Sequence, residues 1–234
     1  MVRCTVMLDA SFFDKDAQHL AVALLGKVLR HHVGEQILSA MIVETEAYYR
    51  AEKGSHSSQG RTPSREPMFQ DPGTIYMYYA RGGDSLNVGA RGLGNAVLIK
   101  AALAWTDERS GPESLATMHA NNPLQSGARR PDHRLCGGQT LLCRALGLKV
   151  PDWWGRTFVA GHLYLQDIGD RPARVVRTTR LGIPDGRDEQ LHLRFVHYAH
   201  ARACTRNPLT RRSAVEGLDY AICTPESAPA AAPV

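Results

Sequence analysis

Between Asp14 and Leu25, apolar side chains fall at three- and four-residue intervals: Ala17, Leu20, Ala21, Leu24 and Leu25, with Gly26 following. That spacing gathers them on one face of a helix, and glycine is the usual residue just past a helix end. The pattern then changes. Val28 to Val33 and Gln36 to Tyr48 predict two strands joined by a turn at Gly34-Glu35. Thr74 to Tyr79 and Ser85 to Val88 predict another pair, closed by Arg81-Gly82-Gly83-Asp84. Asn95 to Leu103 is an apolar run suited to a buried strand, and Gly138 to Leu146 reads as a short helix. His162 to Asp167, Arg174 to Thr179 and His192 to Val196 supply further strands. Ala51 to Asp71, rich in Gly, Ser, Gln, Arg and Pro, predicts a long loop of the kind that carries function or is disordered. Asn121 to His133 reads as a mobile, basic connection.

These elements sum to an α+β fold: a single domain with a curved, mostly antiparallel sheet flanked by helices. The domain is expected over 1–223, and the Pro/Ala-rich stretch 224–234 is expected to be a disordered tail. A chain of 234 residues with 43% hydrophobic content can bury one full core. No apolar run reaches the roughly 18 residues of a membrane span, and no export signal is visible, so a cytoplasmic protein is expected. The cysteines (Cys4, Cys136, Cys143, Cys204 and Cys223) are scattered and odd in number. With no CxxC pair, neither a zinc ribbon nor a disulfide scaffold is expected.

Charge adds one clue. From Arg171 to Arg212 ten arginines face only Asp185, Asp188 and Glu189, and the chain carries 23 arginines against 5 lysines. Arginine suits forked contact with phosphate, so this stretch is either a nucleic-acid footprint or a solvated surface. The central strand holds the chemistry. Ile42, Glu44, Glu46 and Tyr48 alternate and should share one face. Two carboxylates ~7 Å apart in a cleft repel, and one pKa should rise. The pair could be a base with its neighbour, a set of metal ligands, or the charged face of an edge strand. Tyr76 and Tyr78 share another face. With Tyr48 and the loop residue His56 they could form a slot for a planar base, best of all a cationic one.

Several segments together resemble one family. Glu44-Thr45-Glu46-Ala47-Tyr48, His56-Ser57, Arg61-Thr62-Pro63, Met68-Phe69 and Pro72-Gly73-Thr74-Ile75-Tyr76-Met77-Tyr78 are followed by Leu86-Asn87-Val88 and Ala96-Val97-Leu98-Ile99-Lys100. Arg134 to Gly138, Leu142 to Leu146, Arg180-Leu181-Gly182-Ile183 and Leu193-Arg194-Phe195 continue the series. In order and near-spacing this resembles the alkyladenine (3-methyladenine) DNA glycosylases, over roughly residues 12 to 200. The resemblance implies a monofunctional base-excision enzyme, without cofactor or metal, acting as a monomer on damaged purines flipped out of double-stranded DNA. It makes Glu46 the general base. It sets Tyr48 and His56 on one wall of the base pocket and Tyr78 on the other, and makes Asn87 the residue that rejects normal guanine. Arg61 and Lys100 would contact DNA, Lys100 standing where the family has an arginine.

One departure is plain. The family places an aromatic wedge a few residues after Tyr78, where this chain reads Tyr79-Ala80-Arg81-Gly82-Gly83-Asp84, one residue shorter. Arg81 is expected to fill the gap left by the flipped base, with Tyr79 the other candidate. Two other readings stay open: a lesion-binding protein that shelters bases without cleaving them, and a metal-dependent nuclease using Glu44, Glu46 and His56. Preference among 3-methyladenine, 7-methylguanine, ethenoadenine and hypoxanthine is not legible.

Overall fold

The computed structural model describes residues 6–80 and 82–227. Strand β1 is Val6–Met7, followed by helices α1 (Ala10–Phe13) and α2 (Ala17–Leu24). The single helix expected from Asp14 is thus shorter at its start. The Asp16 carboxylate accepts the Gln18 N–H at 3.0 Å and caps α2 there. β2 (Val28–Val33) and β3 (Gln36–Tyr48) match the expected hairpin. β4 (Ile75–Ala80), β5 (Gly83–Gly89) and β6 (Ala96–Ala104) follow. Helices α3 (Pro112–Asn121), α4 (Gln139–Leu146) and α5 (Val150–Trp153) precede β7 (Leu163–Asp167). β8 (Val175–Thr178), β9 (Arg194–His197) and β10 (Tyr220–Cys223) complete the order. The sequence pattern missed β1, α3, α5 and β10. The long loop holds two 3-10 segments, His56–Gln59 and Pro63–Phe69. Residues Pro225–Ser227 of the expected tail form another, and 228–234 lie outside the described residues.

Among the described residues ten strands join one sheet, its main path ordered β1-β7-β2-β3-β6-β5-β4 with β8, β9 and β10 off it, and the strands pair antiparallel. The sheet forks at β3. Its first half pairs with β2, and its second half leaves that neighbour and pairs with β9, which leads to β8 and β10. The main core packs α2 and α4 against one face, through Leu20, Leu24, Leu142 and Leu146 among others. A second cluster (Val28, Met41, Val43, Val176, Val196, Ala201) fills the opposite side under β8 and β9. Among the described residues no helix is long and apolar enough to cross a membrane.

One irregularity decides where the chemistry goes. β3 and β6 pair Ile42 with Ala102 and Glu44 with Ala101, then Thr45 with Ile99, so Val43 and Lys100 are extra residues on opposite strands. Leu38, Ala40 and Ile42 belong to the helix-side core, whereas Val43 belongs to the other cluster. After the bulge the parity reverses: Ala47 joins the helix-side core, and the Thr45 hydroxyl donates to the Ala21 carbonyl of α2 at 2.8 Å. Ile42 therefore does not share a face with Glu44, Glu46 and Tyr48, contrary to strict alternation. Unbroken alternation from Leu38 would have aimed both carboxylates into the apolar core. One inserted residue turns them to the other side.

Candidate active site

A row of directly paired residues crosses the sheet: Tyr76 (β4), Asn87 (β5), Leu98 (β6), Glu46 (β3) and Arg194 (β9). Opposed residues in antiparallel strands share a face; Tyr76, Asn87 and Leu98 of the row line a cleft of about 460 Å³, and Glu46 and Arg194 lie beyond its lining. Tyr48, His56, Tyr78, Asn87 and Lys100 all line it. So do the start of α4 at Gln139-Thr140 and a stretch of the loop after β8, Leu181 to Pro184.

Glu46 lies behind the lining with no exposed surface, bonded to the lining residues Tyr48, Leu181 and Lys100. Its Oε2 accepts the Tyr48 hydroxyl at 2.7 Å, and Oε1 accepts the Leu181 N–H at 3.3 Å with Lys100 Nζ at 3.2 Å. Burial pushes the carboxyl up, but Lys100, Arg194, the Tyr48 hydroxyl and the Leu181 N–H outweigh it and hold Glu46 below the ordinary carboxylate value. The rise expected from two neighbouring carboxylates does not occur there, because each acid has its own cation. Glu44, equally buried, pairs with Arg194 Nε at 2.6 Å and accepts from the Thr205 hydroxyl at 2.6 Å and its N–H at 2.8 Å. Glu44 is thus a structural anchor. The metal reading of Glu44, Glu46 and His56 loses its support, since both carboxylates are turned to protein cations and His56 is bonded elsewhere.

The aromatic groups meet in the cleft. His56 stands edge-on to Tyr78, ring centres 4.5 Å apart, and its Nδ1 is 3.1 Å from the Tyr76 hydroxyl. Tyr76 and Tyr78 lie nearly parallel at 5.6 Å. The resemblance put His56 and Tyr78 on opposite walls; here their rings touch, and the Tyr48 hydroxyl is bonded to the acid. Burial and the Glu46 charge raise the Tyr48 pKa well above its ordinary value, so its hydroxyl stays a donor. Asn87 is 5% exposed and donates its amide to the Tyr76 carbonyl at 3.0 Å, which fixes its orientation in the cleft.

The expected DNA contacts divide. Lys100 is turned inward to Glu46. Arg61 is exposed, forks onto Glu66 at 2.8 and 2.5 Å and lies 5.9 Å from the Phe69 ring centre. Arg81 lies outside the described residues, and its neighbour Tyr79 is 67% exposed. The arginine-rich stretch is not a continuous surface stripe. Arg180 and Arg194 are buried, Arg171 is paired with Asp167, and Arg174 lies 3.7 Å from the Tyr198 ring centre. Arg202, Arg206, Arg211 and Arg212 remain exposed.

A sequence profile described as methylpurine-DNA glycosylase matches residues 11–201. The chain belongs to the methylpurine-DNA glycosylase family. A relative from Pseudomonas savastanoi pv. phaseolicola is 63% identical over 213 residues, which is 91% of this chain and 95% of that protein. One from Pseudomonas aeruginosa PAO1 is 55% identical, again over 91% of this chain and 89% of its own length. A more distant one from Listeria monocytogenes is 34% identical over 76% of this chain and 83% of its own. All three carry, provisionally, the name 3-methyladenine DNA glycosylase. The cleft of this family member is lined by the aromatic residues Tyr48, His56, Tyr76 and Tyr78. Tyr76 was expected in the slot and lines the cleft; Leu181 and Arg187, which also line it, were not among the expected site residues. The only signal for Leu181 was the quoted run Arg180 to Ile183, which carries no side-chain chemistry at Leu181: its contribution is a backbone N–H.

Proposed function

We propose that this chain hydrolyses the N-glycosidic bond of alkylated purines, of the 3-methyladenine and 7-methylguanine type, in nucleotides flipped out of duplex DNA. The supporting observation is a fully buried Glu46 bonded to Tyr48, Leu181 and Lys100 of a cleft that His56, Tyr76 and Tyr78 also line. Water attacks C1′, the C1′–N9 bond breaks, and the base leaves with the electron pair. Methylation at a ring nitrogen makes the base cationic, so it departs neutral and needs no general acid. Glu46 takes the water's proton, and its charge supports the positive character growing on the sugar. Among the described residues Oε2 accepts the Tyr48 hydroxyl, and a carboxylate oxygen has a second lone pair to offer that water. A carboxyl held low is a weak base, which suffices where the leaving group is already good. His56 and Tyr78 stack on the base, Tyr48 bounds the slot on the acid's side, and Asn87 crowds the amino group of normal guanine. Arg61 and Arg81 contact the DNA, with Arg81 occupying the gap in the duplex, and the protein acts as a monomer. Lys100 sits nearest the sugar and is committed to Glu46.

With EDTA present, duplex DNA carrying 7-methylguanine should release the free base and keep its strand intact. Glu46→Gln should lower excision by about 10²- to 10⁴-fold, the scale of general-base catalysis, and still bind an abasic-analogue duplex. Excision by that variant near the wild-type rate would remove Glu46 from the reaction. Tight lesion binding without release by the wild type would make the protein a lesion binder instead.

A further inference from the structure

Arg180 does not touch Glu46, yet it packs on Tyr48, which does, and the next residue in the chain also bonds the acid. Its guanidinium carbon lies 4.6 Å from the centre of the Tyr48 ring. Nη1 donates to the Ala47 carbonyl at 3.1 Å, between the acid and the tyrosine, and Nη2 donates to the Asp188 carbonyl at 3.4 Å and pairs with Glu52. The residue is 4% exposed. The next residue, Leu181, supplies the N–H that reaches Glu46. One planar group therefore holds the end of β3 and the loop after β8 in register with each other, across 133 positions of chain.

The rest of that loop is fastened to the same segment. Lys53 N–H donates to Asp188 Oδ2 at 2.7 Å, and Arg187 Nε donates to the Lys53 carbonyl at 2.9 Å. Asp188 itself sits at φ 61°, a left-handed conformation that costs a non-glycine residue energy and persists only where its surroundings enforce it. Stability alone explains little of this, because a buried ion pair contributes about as much as well-packed apolar residues of the same volume. A flat fork that can lie on a ring and reach three oxygens at once is a task lysine cannot perform.

We propose that Arg180 is a positioning residue for base excision, aiming the Tyr48 hydroxyl and the Leu181 N–H at the two oxygens of Glu46. The inference rests on Glu46 being the base. The groups facing Glu46 are Lys100 from β6, Arg194 from β9, Tyr48 and Glu44 from β3, and the Leu181 N–H from the loop, with Tyr78 of β4 beyond Tyr48. Losing two donors from that set lets burial raise the carboxyl, so a larger fraction is protonated as pH falls.

The test is single-turnover release of 7-methylguanine from duplex DNA across an acidic pH series, for wild type, Arg180→Lys and the double variant Arg180→Gln/Glu52→Gln. The double variant leaves no buried charge unpaired and so keeps the fold, checked by thermal melting. Both variants should lose rate on the order of a hundredfold, the cost of an ångström of misplacement. Their acid limb should move to higher pH than in wild type, with binding to an abasic-analogue duplex unchanged. A folded double variant with the wild-type rate or acid limb overturns the inference, as does full recovery of rate by lysine. A wild type that releases no base overturns the proposed function first and this inference with it.

Discussion

His56 shows how one side chain is tuned by its place. Burial above all, then the charges of Arg65 and Arg187, hold its imidazole below the ordinary value of 6.5. Because the shift is downward, the neutral ring predominates at pH 6.5 and above, and the charged form takes over only below 6.5. A neutral ring stacks favourably on a cationic methylpurine, whereas an imidazolium repels it. In the Glu46→Gln background, affinity for duplex carrying a cationic lesion should stay level as pH falls to 6.5 and decline only below it. Adding His56→Gln should abolish the decline. A decline beginning above 6.5, or one that survives the second substitution, would remove His56 from contact with the base. The residue itself was legible, since a histidine beside tyrosines suggests a slot. Its ring geometry was not: only the folded loop sets it edge-on to Tyr78 with Nδ1 against the Tyr76 hydroxyl.

At the scale of elements, the hairpin of β2 and β3 could be read to its ends because Gly34-Glu35 punctuates two apolar runs. The bulge inside β3 could not. A period of two says which residues alternate, and the break at Val43 depends on how β6 presents Lys100 against it. The β4–β5 hairpin raises the complementary question of what fills the duplex when a base leaves. Tyr79 is exposed at its end, and Arg81 follows two residues later in sequence. Arg81→Ala should weaken binding to an abasic-analogue duplex with no change in melting temperature, and Tyr79→Ala should weaken it less. Equal binding by Arg81→Ala and wild type, with a loss confined to Tyr79→Ala, would move the wedge to the tyrosine.

Over the whole molecule, charge is spent largely on internal ties. Lys27 pairs with Asp167, and the buried Arg30 bonds Gln166, Ser39, Ser110 and Asp107, joining β2, β3 and β7 to the turn after β6. At Asp107 burial pushes the carboxyl up, but its bonds to Arg30, the Arg109 N–H and the Trp105 ring nitrogen outweigh burial and bring it down to about 2 from 3.8. A folded-state value below the unfolded one gives stability that is complete above 3.8 and is lost as pH falls toward 2. Denaturant melts should therefore show stability falling through that window, with Asp107→Asn less stable at neutral pH and flatter across it. An unchanged slope in the variant would assign the acid sensitivity elsewhere.

The sequence by itself determined the fold class, most strand positions and the inventory of the site, because hydrophobic period, turn residues and short-range order are local properties of a chain. It carried Glu46, Tyr48, His56, Tyr78, Asn87 and Lys100 within a span short enough to be read together, and the family they imply follows from that span. Tertiary structure decided which partners each acid takes. Arg194 claims Glu44 from 150 positions away, and Leu181 reaches Glu46 from 135. It also turned Lys100 inward and broke up the apparent arginine stripe. Such pairings depend on strand register, on one inserted residue and on where a distant loop is fastened, and none of these leaves a periodic mark in the chain.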